Sequence, residues 1–292
     1  MMIHITEVGV RDGLQNEKVI LSTEEKLEFI QRLIAAGAKS IEVASFVNPK
    51  VMPQMADAEQ LIERLPIAND VRYRALVLSK SGLERLIKTN IRQVQLSFAV
   101  SDGFNMKNIR RTTDESIREM LWIVERAKVE GKYVNLILGT VFGCPYDGAI
   151  DLEHVSSIAK QFSTAGVDEI TYADTIGNAN PKSVEQAIQL YQALNIATPL
   201  GLHFHNTRGR GLANAVAAIN LGVTRFDSSI GGIGGCPFAP KAVGNICTED
   251  FVSMLHDMGY KTTINVDSFI DTAKWIEQKL GRTIEGMVMK TV

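Results

Sequence analysis

Short apolar runs alternate with amphipathic stretches along this chain up to about residue 230. The runs are rich in β-branched and aromatic residues, whereas the stretches between them repeat apolar residues at helical spacing. This pattern predicts strands that alternate with helices. The eight strand candidates are IHITEVGV, KSIEVASF, YRALVLS, QVQLSFAV, YVNLILGTVF, EITYADTIG, PLGLHFHN and RFDSSIGG.

Helix boundaries are also marked in the sequence. The start signals are two capping boxes and one Asn-Pro pair: Ser22 with Glu25, Thr112 with Glu115, and Asn180 with Pro181. Gly37 stands where the C-terminal cap of the first helix is expected. A last helical pattern runs roughly from Val266 to Leu280 and lies beyond the eighth strand candidate.

Eight strand-helix units, with strands that are apolar almost throughout, fit an α/β fold of the (β/α)8 TIM barrel type with an extra C-terminal helix. An open doubly wound sheet is the main alternative, but it usually has fewer strands and a glycine-rich phosphate turn after the first one. Here the first strand runs into Val10-Arg11-Asp12-Gly13, which is not such a turn. No linker composition interrupts the chain, so we expect residues 1–292 to form a single catalytic domain.

Composition excludes several classes of protein. The net charge of −2 argues against a nucleic-acid partner. No apolar run approaches the roughly 18 residues of a membrane span, and the N-terminus lacks the features of a signal peptide. Three sparse cysteines, Cys144, Cys236 and Cys247, indicate free thiols in a reducing compartment. We therefore expect a cytoplasmic protein without a membrane partner.

Charged and metal-binding side chains collect at the carboxyl ends of the strand candidates, where barrel enzymes build their active sites. The first strand ends in Arg11 and Asp12 and the seventh in His203 and His205. Glu42 belongs to the second strand, Asp174 ends the sixth, and a glycine-rich loop with Cys236 and Asn245 follows the eighth. Buried charges are costly unless they are paired or bound to an ion, so this gathering needs a shared cause.

A divalent cation is one such cause. His203 and His205 are two residues apart on a strand and therefore project to the same side. Asp12 adds an oxygen ligand, and Asn245 can add a carbonyl oxygen. This mixed set with open positions suits Mg²⁺ or Mn²⁺, and Zn²⁺ also fits two histidines and a carboxylate.

Each of these residues, taken alone, also has a purely structural explanation. A histidine at a strand end is often an ordinary buried residue, and Arg11, Asp12 and Glu42 can form an ion-pair cluster that closes the barrel mouth. Cys144 and Cys236 can be small buried apolar residues.

Seven ordered segments resemble the 3-hydroxy-3-methylglutaryl-CoA lyase family, within the superfamily of DRE-TIM metallolyases related to pyruvate carboxyltransferase. The segments are EVGVRDGLQNE, IEVASFVNPK, VMPQMAD, FGCPYDG, DTIGNANP, HFHNTRGRGLAN and GGIGGCPFAPKAVGNICTED. They run in order from about Ile5 to the last barrel helix. The resemblance implies a TIM barrel that cleaves a carbon–carbon bond in a branched 3-hydroxyacyl-CoA and releases acetyl-CoA and a keto acid.

The resemblance also implies roles for the residues at the barrel mouth. Asp12, His203, His205 and Asn245 would hold the divalent cation, and Arg11 would stabilise the enolate of the departing thioester. His203 would also take part in proton transfer, with support from Glu42 and Asp174. Cys236, on a mobile flap, would assist the proton step.

Further residues are expected to contact the acyl-CoA substrate. Those expected at the acyl group are Gln15, Ser45, Thr171 and Lys241. Lys107, Arg110 and Arg111 precede a capped helix and are candidates for binding the CoA phosphates. A solvated surface face explains these three cations equally well.

Some positions depart from the pattern of the family. Val10 replaces a proline, Asn206 replaces an aspartate after the histidine pair, and Lys241 replaces a glycine in the closing loop, while Arg208 stands where a tyrosine or arginine is found. Loss of a carboxylate and gain of an ammonium group make this side of the site more positive. Lys241 is therefore expected either to contact the carboxylate of a different acyl group, such as a branched malyl- or glutaryl-CoA, or to be an ordinary loop lysine.

Three other functions compete with a lyase. A Claisen-type synthase shares the Arg-Asp and His-x-His elements but usually carries C-terminal segments that are absent here. An aldolase for free 4-hydroxy-2-keto acids has a similar metal site and no need for CoA. A binding-only descendant has no use for all of these residues together. Whichever function holds, the lyase included, we expect a homo-oligomer, because barrels with an exposed ring of helices commonly form symmetric assemblies.

Overall fold

The computed structural model describes residues 1–235 and 244–292. Its centre is a closed barrel of eight parallel strands, in which each strand pairs with the next and β8 pairs with β1. The strands are β1 His4–Glu7, β2 Ser40–Ser45, β3 Arg72–Val77, β4 Gln93–Ala99, β5 Tyr133–Gly139, β6 Glu169–Asp174, β7 Leu200–Phe204 and β8 Arg225–Ser228. The predicted TIM barrel is therefore confirmed.

Helices follow the strands and surround the barrel. They are α1 Thr23–Ala35, α2 Ala58–Glu63, α3 Lys80–Ile87, α4 Asp102–Asn108, α5 Thr113–Val129, α6 Leu152–Thr164, α7 Pro181–Ala193, α8 Gly211–Asn220, α9 Thr248–Asp257 and α10 Val266–Leu280. The extra C-terminal helix, α10, has the predicted bounds. In the described parts of the chain, no helix combines the length and apolar composition needed to cross a membrane.

The helix signals in the sequence form as predicted. Both capping boxes, at Ser22 and at Thr112, have the reciprocal hydrogen bonds between side chain and backbone. Asn180 caps α7 and Pro181 is its first residue. Gly37, with φ of +96°, follows α1 in the left-handed conformation that glycine favours. Local sequence therefore sets where these helices begin and end.

Strand β1 is shorter than predicted. It ends at Glu7, and Gly9–Gly13 form a single turn of π-helix. The carbonyl of Val8 accepts hydrogen bonds from the backbone N–H groups of Arg11, Asp12 and Gly13, which bends the chain inward. Such turns are frequent at functional sites.

The interior of the barrel contains two layers of side chains near its middle and its mouth. Residues two apart on a strand share a face. In the middle layer Asn135 donates to Gln95 and Thr171 donates to Asn135, at 3.1 and 3.2 Å. The layer nearer the mouth includes Leu76, Ser97, Ile137 and Ala173, which line a cavity at the carboxyl ends of the strands.

Candidate active site

Arg11 makes two ion pairs at the mouth of the barrel. Its Nη1 lies 2.7 Å from Oδ1 of Asp12, and its Nη2 lies 2.6 Å from Oε2 of Glu42. Burial raises the pKa of Glu42 to about 7, although the charge of Arg11 opposes this effect. The expected ion-pair cluster is present, and it fixes the guanidinium plane over the cavity. Arg11 Nε and Glu42 Oε1 are buried and have no hydrogen-bond partner among the described residues.

Asp12, His203 and His205 converge as the sequence predicted. One possible ligand atom from each residue lies within 4.8 Å of the others, and all three side chains are buried. His203 belongs to β7, whereas His205 lies just beyond it and forms an isolated bridge with Asn245. The last of the predicted ligands is thus brought to the same place, because Asn245 Nδ2 donates to Asp12 Oδ2 at 2.8 Å.

Two buried atoms in this group have no hydrogen-bond partner in the parts of the chain that the structure describes, and both are of the kind that binds a cation. They are Nδ1 of His205 and Oδ1 of Asn245. Unsatisfied buried polar atoms are rare in folded proteins and need an explanation. A divalent cation held by Asp12, His205 and Asn245 would satisfy them, so the residues present fit the metal that the sequence predicted.

The electrostatics of the group also suit a cation. Burial, followed by the charge of His203, lowers the pKa of His205 to about 4, so its ring is the neutral form that binds metals. Burial acts to raise the pKa of Asp12, but Arg11 and the two histidines outweigh burial and hold the pKa below its ordinary value. Asp12 is therefore an ionised carboxylate.

Asp227 is a residue of the site that the sequence analysis missed. Its Oδ2 lies 3.2 Å from Nδ1 of His203, and both side chains are buried. A carboxylate at this atom holds the proton on Nδ1 and directs Nε2 of the same ring toward a cation. The available signal was an acidic residue in the middle of the strand segment RFDSS.

Asp174 and Glu7 act on backbone groups near the site. Asp174 is buried at the end of β6 and accepts hydrogen bonds from the backbone of Asn178 and Ala179, and burial raises its pKa to about 6. It therefore orders the loop after β6, and its catalytic role stays a prediction. Oε1 of Glu7, which the sequence analysis also missed, accepts from the backbone of Gly9 and Ile230 at 2.8 and 2.9 Å.

A cavity of about 180 Å³ opens beside this group. On one side it is polar, with Arg11, Asp12, Gln15, His203 and His205. The opposite side is largely apolar and comes mainly from β3 to β6 and their loops: Val47, Met52, Leu76, Leu78, Phe98, Ala99, Phe104, Ile137 and Ala173. The cavity can thus hold a molecule with a polar reacting end and an apolar body.

The predicted substrate contacts lie at different depths. Gln15 lines the cavity and donates to Oδ1 of Asp12 at 3.0 Å. Ser45 is buried at the end of β2, and its hydroxyl has no partner among the described residues. Thr171 lies deeper, in the middle layer of the barrel. Lys241 and the predicted catalytic residue Cys236 lie outside the described residues.

The three candidates for CoA phosphate binding are not equivalent. Lys107 and Arg110 are exposed close to Asn108, which lines the cavity. Arg111 is instead paired with Glu119, with 2.6 Å between Nη1 and Oε2. Arg110 has a φ of +56°, which is uncommon for a residue other than glycine.

Asn206, one of the departures from the family pattern, has a local structural role. Its Oδ1 accepts the backbone N–H of Gly211 at the start of α8, at 3.0 Å. Its own backbone N–H donates to the carbonyl of Gly244. The amide therefore orders the loop between β7 and α8.

Comparisons with known proteins agree on one family. The HMGL-like family model matches residues 2–276. Hydroxymethylglutaryl-CoA lyase YngG of Bacillus subtilis is 40% identical, over 97% of this chain and 94% of that protein. The (R)-citramalyl-CoA lyase of Chloroflexus aurantiacus is 41% identical, over 99% of this chain and 94% of that protein.

A solved structure agrees with both relatives. The HMG-CoA lyase of Acinetobacter baumannii, in complex with coenzyme A and 3-methylmalate, superposes with a TM-score of 0.95 at 37% identity. The match covers 99% of this chain and 94% of the other. The chain belongs to the HMGL-like family and is a carbon–carbon lyase.

Proposed function

We propose that this enzyme cleaves the bond between C2 and C3 of a branched 3-hydroxyacyl-CoA with the help of a divalent cation, and releases acetyl-CoA and a keto acid. The observation that carries the proposal is the convergence of Asp12, His203, His205 and Asn245 beside Arg11, at the polar side of one cavity. Two relatives that are named for different acyl groups, an HMG-CoA lyase and a citramalyl-CoA lyase, both support this reaction class.

The cation would be held by Asp12, His203, His205 and Asn245, and the donor set suits Mg²⁺ or Mn²⁺ better than Zn²⁺. When bound, such an ion lowers the pKa of the substrate hydroxyl and orients the acyl group. Asp12 also accepts from Gln15 and from Arg11 through the same oxygen, Oδ1, which leaves Oδ2 toward Asn245.

Arg11 supplies the positive charge for the departing group. As the bond breaks, negative charge develops on the thioester oxygen, and a fixed guanidinium stabilises it without reorganisation. The ion pairs with Asp12 and Glu42 hold this guanidinium in place. Its Nε, which has no hydrogen-bond partner within residues 1–235 and 244–292, would donate to a substrate atom.

His203 alone does not account for proton transfer in the proposed reaction. Nδ1 of His203 faces Asp227, and Nε2 is the atom left for a cation, so ligation and proton transfer compete for the same ring. We propose that His203 serves as a ligand of the cation and not as the proton-transfer group. The proton that reaches C2 of the new enolate would come from Cys236, on the segment of the chain that follows Gly235.

The acyl group is either 3-hydroxy-3-methylglutaryl or a citramalyl-type group, in which the carboxylate and the hydroxyl are on the same carbon. The identities of 40% to the HMG-CoA lyase and 41% to the citramalyl-CoA lyase support both groups equally. Lys241, which replaces a glycine, is the residue we propose for contact with the differently placed carboxylate.

The test is acetyl-CoA release from 3-hydroxy-3-methylglutaryl-CoA and from both enantiomers of citramalyl-CoA. Each is assayed with Mg²⁺, Mn²⁺ or Zn²⁺ and again after chelation. We expect release from one substrate that stops on chelation and returns with Mg²⁺ or Mn²⁺. Release that is insensitive to chelation would overturn the role of the cation, and no release from any CoA ester would overturn the function.

A matched pair of histidine variants links the activity to the site. His205→Gln removes a proposed ligand, whereas His154→Gln changes an exposed histidine on α6. We expect the first to lose both Mn²⁺ affinity and activity, and the second to keep both. Equal behaviour of the two variants would contradict the proposed site. Lys241→Gly should change the ranking of the acyl-CoA substrates by kcat/KM, and an unchanged ranking would show that Lys241 does not select the acyl group.

A further inference from the structure

A second cavity lies at the opposite end of the barrel, where the strands begin. Its volume is about 170 Å³, close to that of the candidate active site. Its walls come from the first residues of six strands and from residues 262–264. The polar and charged side chains of its lining include His4, Ser40, Arg72, Arg74, Glu169 and Arg225.

Two arginines share a single carboxylate in this cavity. Both Nη atoms of Arg74 lie 3.3–3.4 Å from the oxygens of Glu169, and Nη1 of Arg225 lies 3.3 Å from the same group. Hydrogen bonds between charged groups are usually about 2.7–2.9 Å long. Tyr133 also donates to Glu169, at 3.1 Å. The carboxylate is thus fully occupied, yet it does not balance both guanidinium charges.

Arg72 adds a further positive charge at the rim. It is exposed at the start of β3 and has no ion pair among residues 1–235 and 244–292. The nearby Lys39 is already paired with Asp70, with 2.5 Å between the charged atoms. Asp227 also lines the cavity, but its carboxylate is engaged with His203.

His4 lines the cavity close to the charges of Arg225 and Arg72. Its pKa is lowered, first by burial and then by the charges of Arg225 and Arg72, which outweigh the opposing charge of Glu169. The ring is therefore neutral and can donate or accept a hydrogen bond.

The space itself depends on a missing side chain. A Cβ atom at Gly201 would lie 2.9 Å from Oγ1 of Thr171 and 3.4 Å from Oε1 of Glu169. Glycine at this position of β7 keeps the floor of the cavity open. Polar donors around the opening, including the hydroxyl of Ser40, can complete the coordination of a bound group.

We propose that this cavity binds a small free oxyanion of the phosphate class, held by Arg72 and Arg225 at the rim with His4 and Ser40 beside them. Arginine is suited to this role because its planar donors match the oxygens of phosphate. The site is separate from the acyl-CoA cavity and does not depend on the proposed reaction.

The test is a titration of the metal-free, full-length protein with sodium phosphate, with sodium chloride at equal ionic strength as the reference. Thermal unfolding and calorimetry provide the readouts. We expect a concentration-dependent rise in Tm of roughly 3 °C at ten times Kd. Arg72→Gln should weaken the affinity for phosphate at least tenfold, whereas Arg118→Gln, which changes an exposed arginine on α5, should leave it within twofold.

Arg225→Lys provides a second variant, since it keeps the charge beside Glu169 but loses the planar donors. It should weaken binding as well, with the fold intact by circular dichroism. No rise in Tm beyond the chloride reference would overturn the proposal. An equal rise in the parent and in Arg72→Gln would also overturn it, because the anion would then bind elsewhere, for instance near Arg11.

Discussion

His203 and Asp227 face each other across β7 and β8, with 3.2 Å between Nδ1 of the histidine and Oδ2 of the aspartate. The pairing fixes which nitrogen of the ring carries the proton. The other nitrogen, Nε2, is then left to bind the proposed cation together with Asp12 and His205. The carboxylate of Asp227 thus orients a metal ligand without contacting a cation itself.

Asp227→Asn should therefore lower the affinity for Mn²⁺ by about 10–100-fold. The amide can donate to Nδ1 of His203, which favours the tautomer with the proton on Nε2, where a ligand lone pair is needed. Isothermal calorimetry of Mn²⁺ binding measures the change. Asp271→Asn, which alters an exposed aspartate on α10, is the control. Equal affinities in the two variants would count against a role for Asp227.

Arg11→Lys should reduce kcat by at least about 100-fold, because lysine keeps the charge but loses the planar donors at the developing enolate oxygen. Mn²⁺ affinity should change little, since Arg11 is not a ligand. Steady-state kinetics of acetyl-CoA release measure the effect, with Arg126→Lys on α5 as the control. A variant that lost metal binding and activity in parallel would show that Arg11 serves only to order Asp12.

Glu7→Gln should change how stability depends on pH. Burial raises the pKa of Glu7 to about 7 in the folded protein, despite hydrogen bonds from Thr248, Ile230 and Gly9. Between about pH 4.5 and 7 the folded protein then holds a proton that the unfolded chain has released, so this group's contribution to stability decreases as pH rises through that window.

Glutamine removes this dependence while it keeps most of the shape. The free energy of unfolding of Glu7→Gln, relative to the parent, should therefore increase from pH 5 to pH 8, by at most roughly 3 kcal/mol. Urea unfolding at several pH values measures it, and Glu185→Gln, an exposed change on α7, should show no such trend. A difference that is constant with pH would contradict the pKa assigned to Glu7.

Gly234→Ala should displace Asn245, one of the proposed metal ligands, by steric contact. Gly234 has a φ of +131°, and an added Cβ would lie 2.6 Å from Nδ2 of Asn245. Gly259→Ala is a matched control, because this glycine also has a positive φ, of +79°, but nothing lies within 4 Å of an added Cβ. Both variants should lose some stability, whereas Mn²⁺ affinity should fall only in Gly234→Ala. Loss of affinity in both would assign the effect to backbone strain.

Much of the fold could be predicted because it depends on local patterns. Capping boxes at Ser22 and Thr112 and the run from Val266 to Leu280 gave helix bounds close to those observed. The end of β1 was missed because the π-helical turn at Gly9–Gly13 depends on the carbonyl of Val8, which has no signature in the residue pattern.

The residues of the candidate site also divide into those that the local sequence pattern reveals and those that only the folded barrel reveals. Asp12, His203 and His205 were found because they stand at strand ends or shortly after them, where the topology of a barrel collects side chains. Asp227 and Glu7 were missed because their partners are set by the register between β7 and β8 and by the closure of β1 on β8. Register and closure are properties of the whole barrel.

Oε1 of Glu7 accepts hydrogen bonds from the backbone of both Gly9 and Ile230, and so joins the two ends of the chain. It links the turn that carries Asp12, near the start, to Ile230, near the end, and Asn245 reaches Asp12 across 233 residues of sequence. The first six strand-helix units therefore contain Arg11 and Asp12 but no histidine pair. We expect a chain that ends before β7 to lack the proposed cation site, because His203, His205 and Asn245 are all encoded after that point.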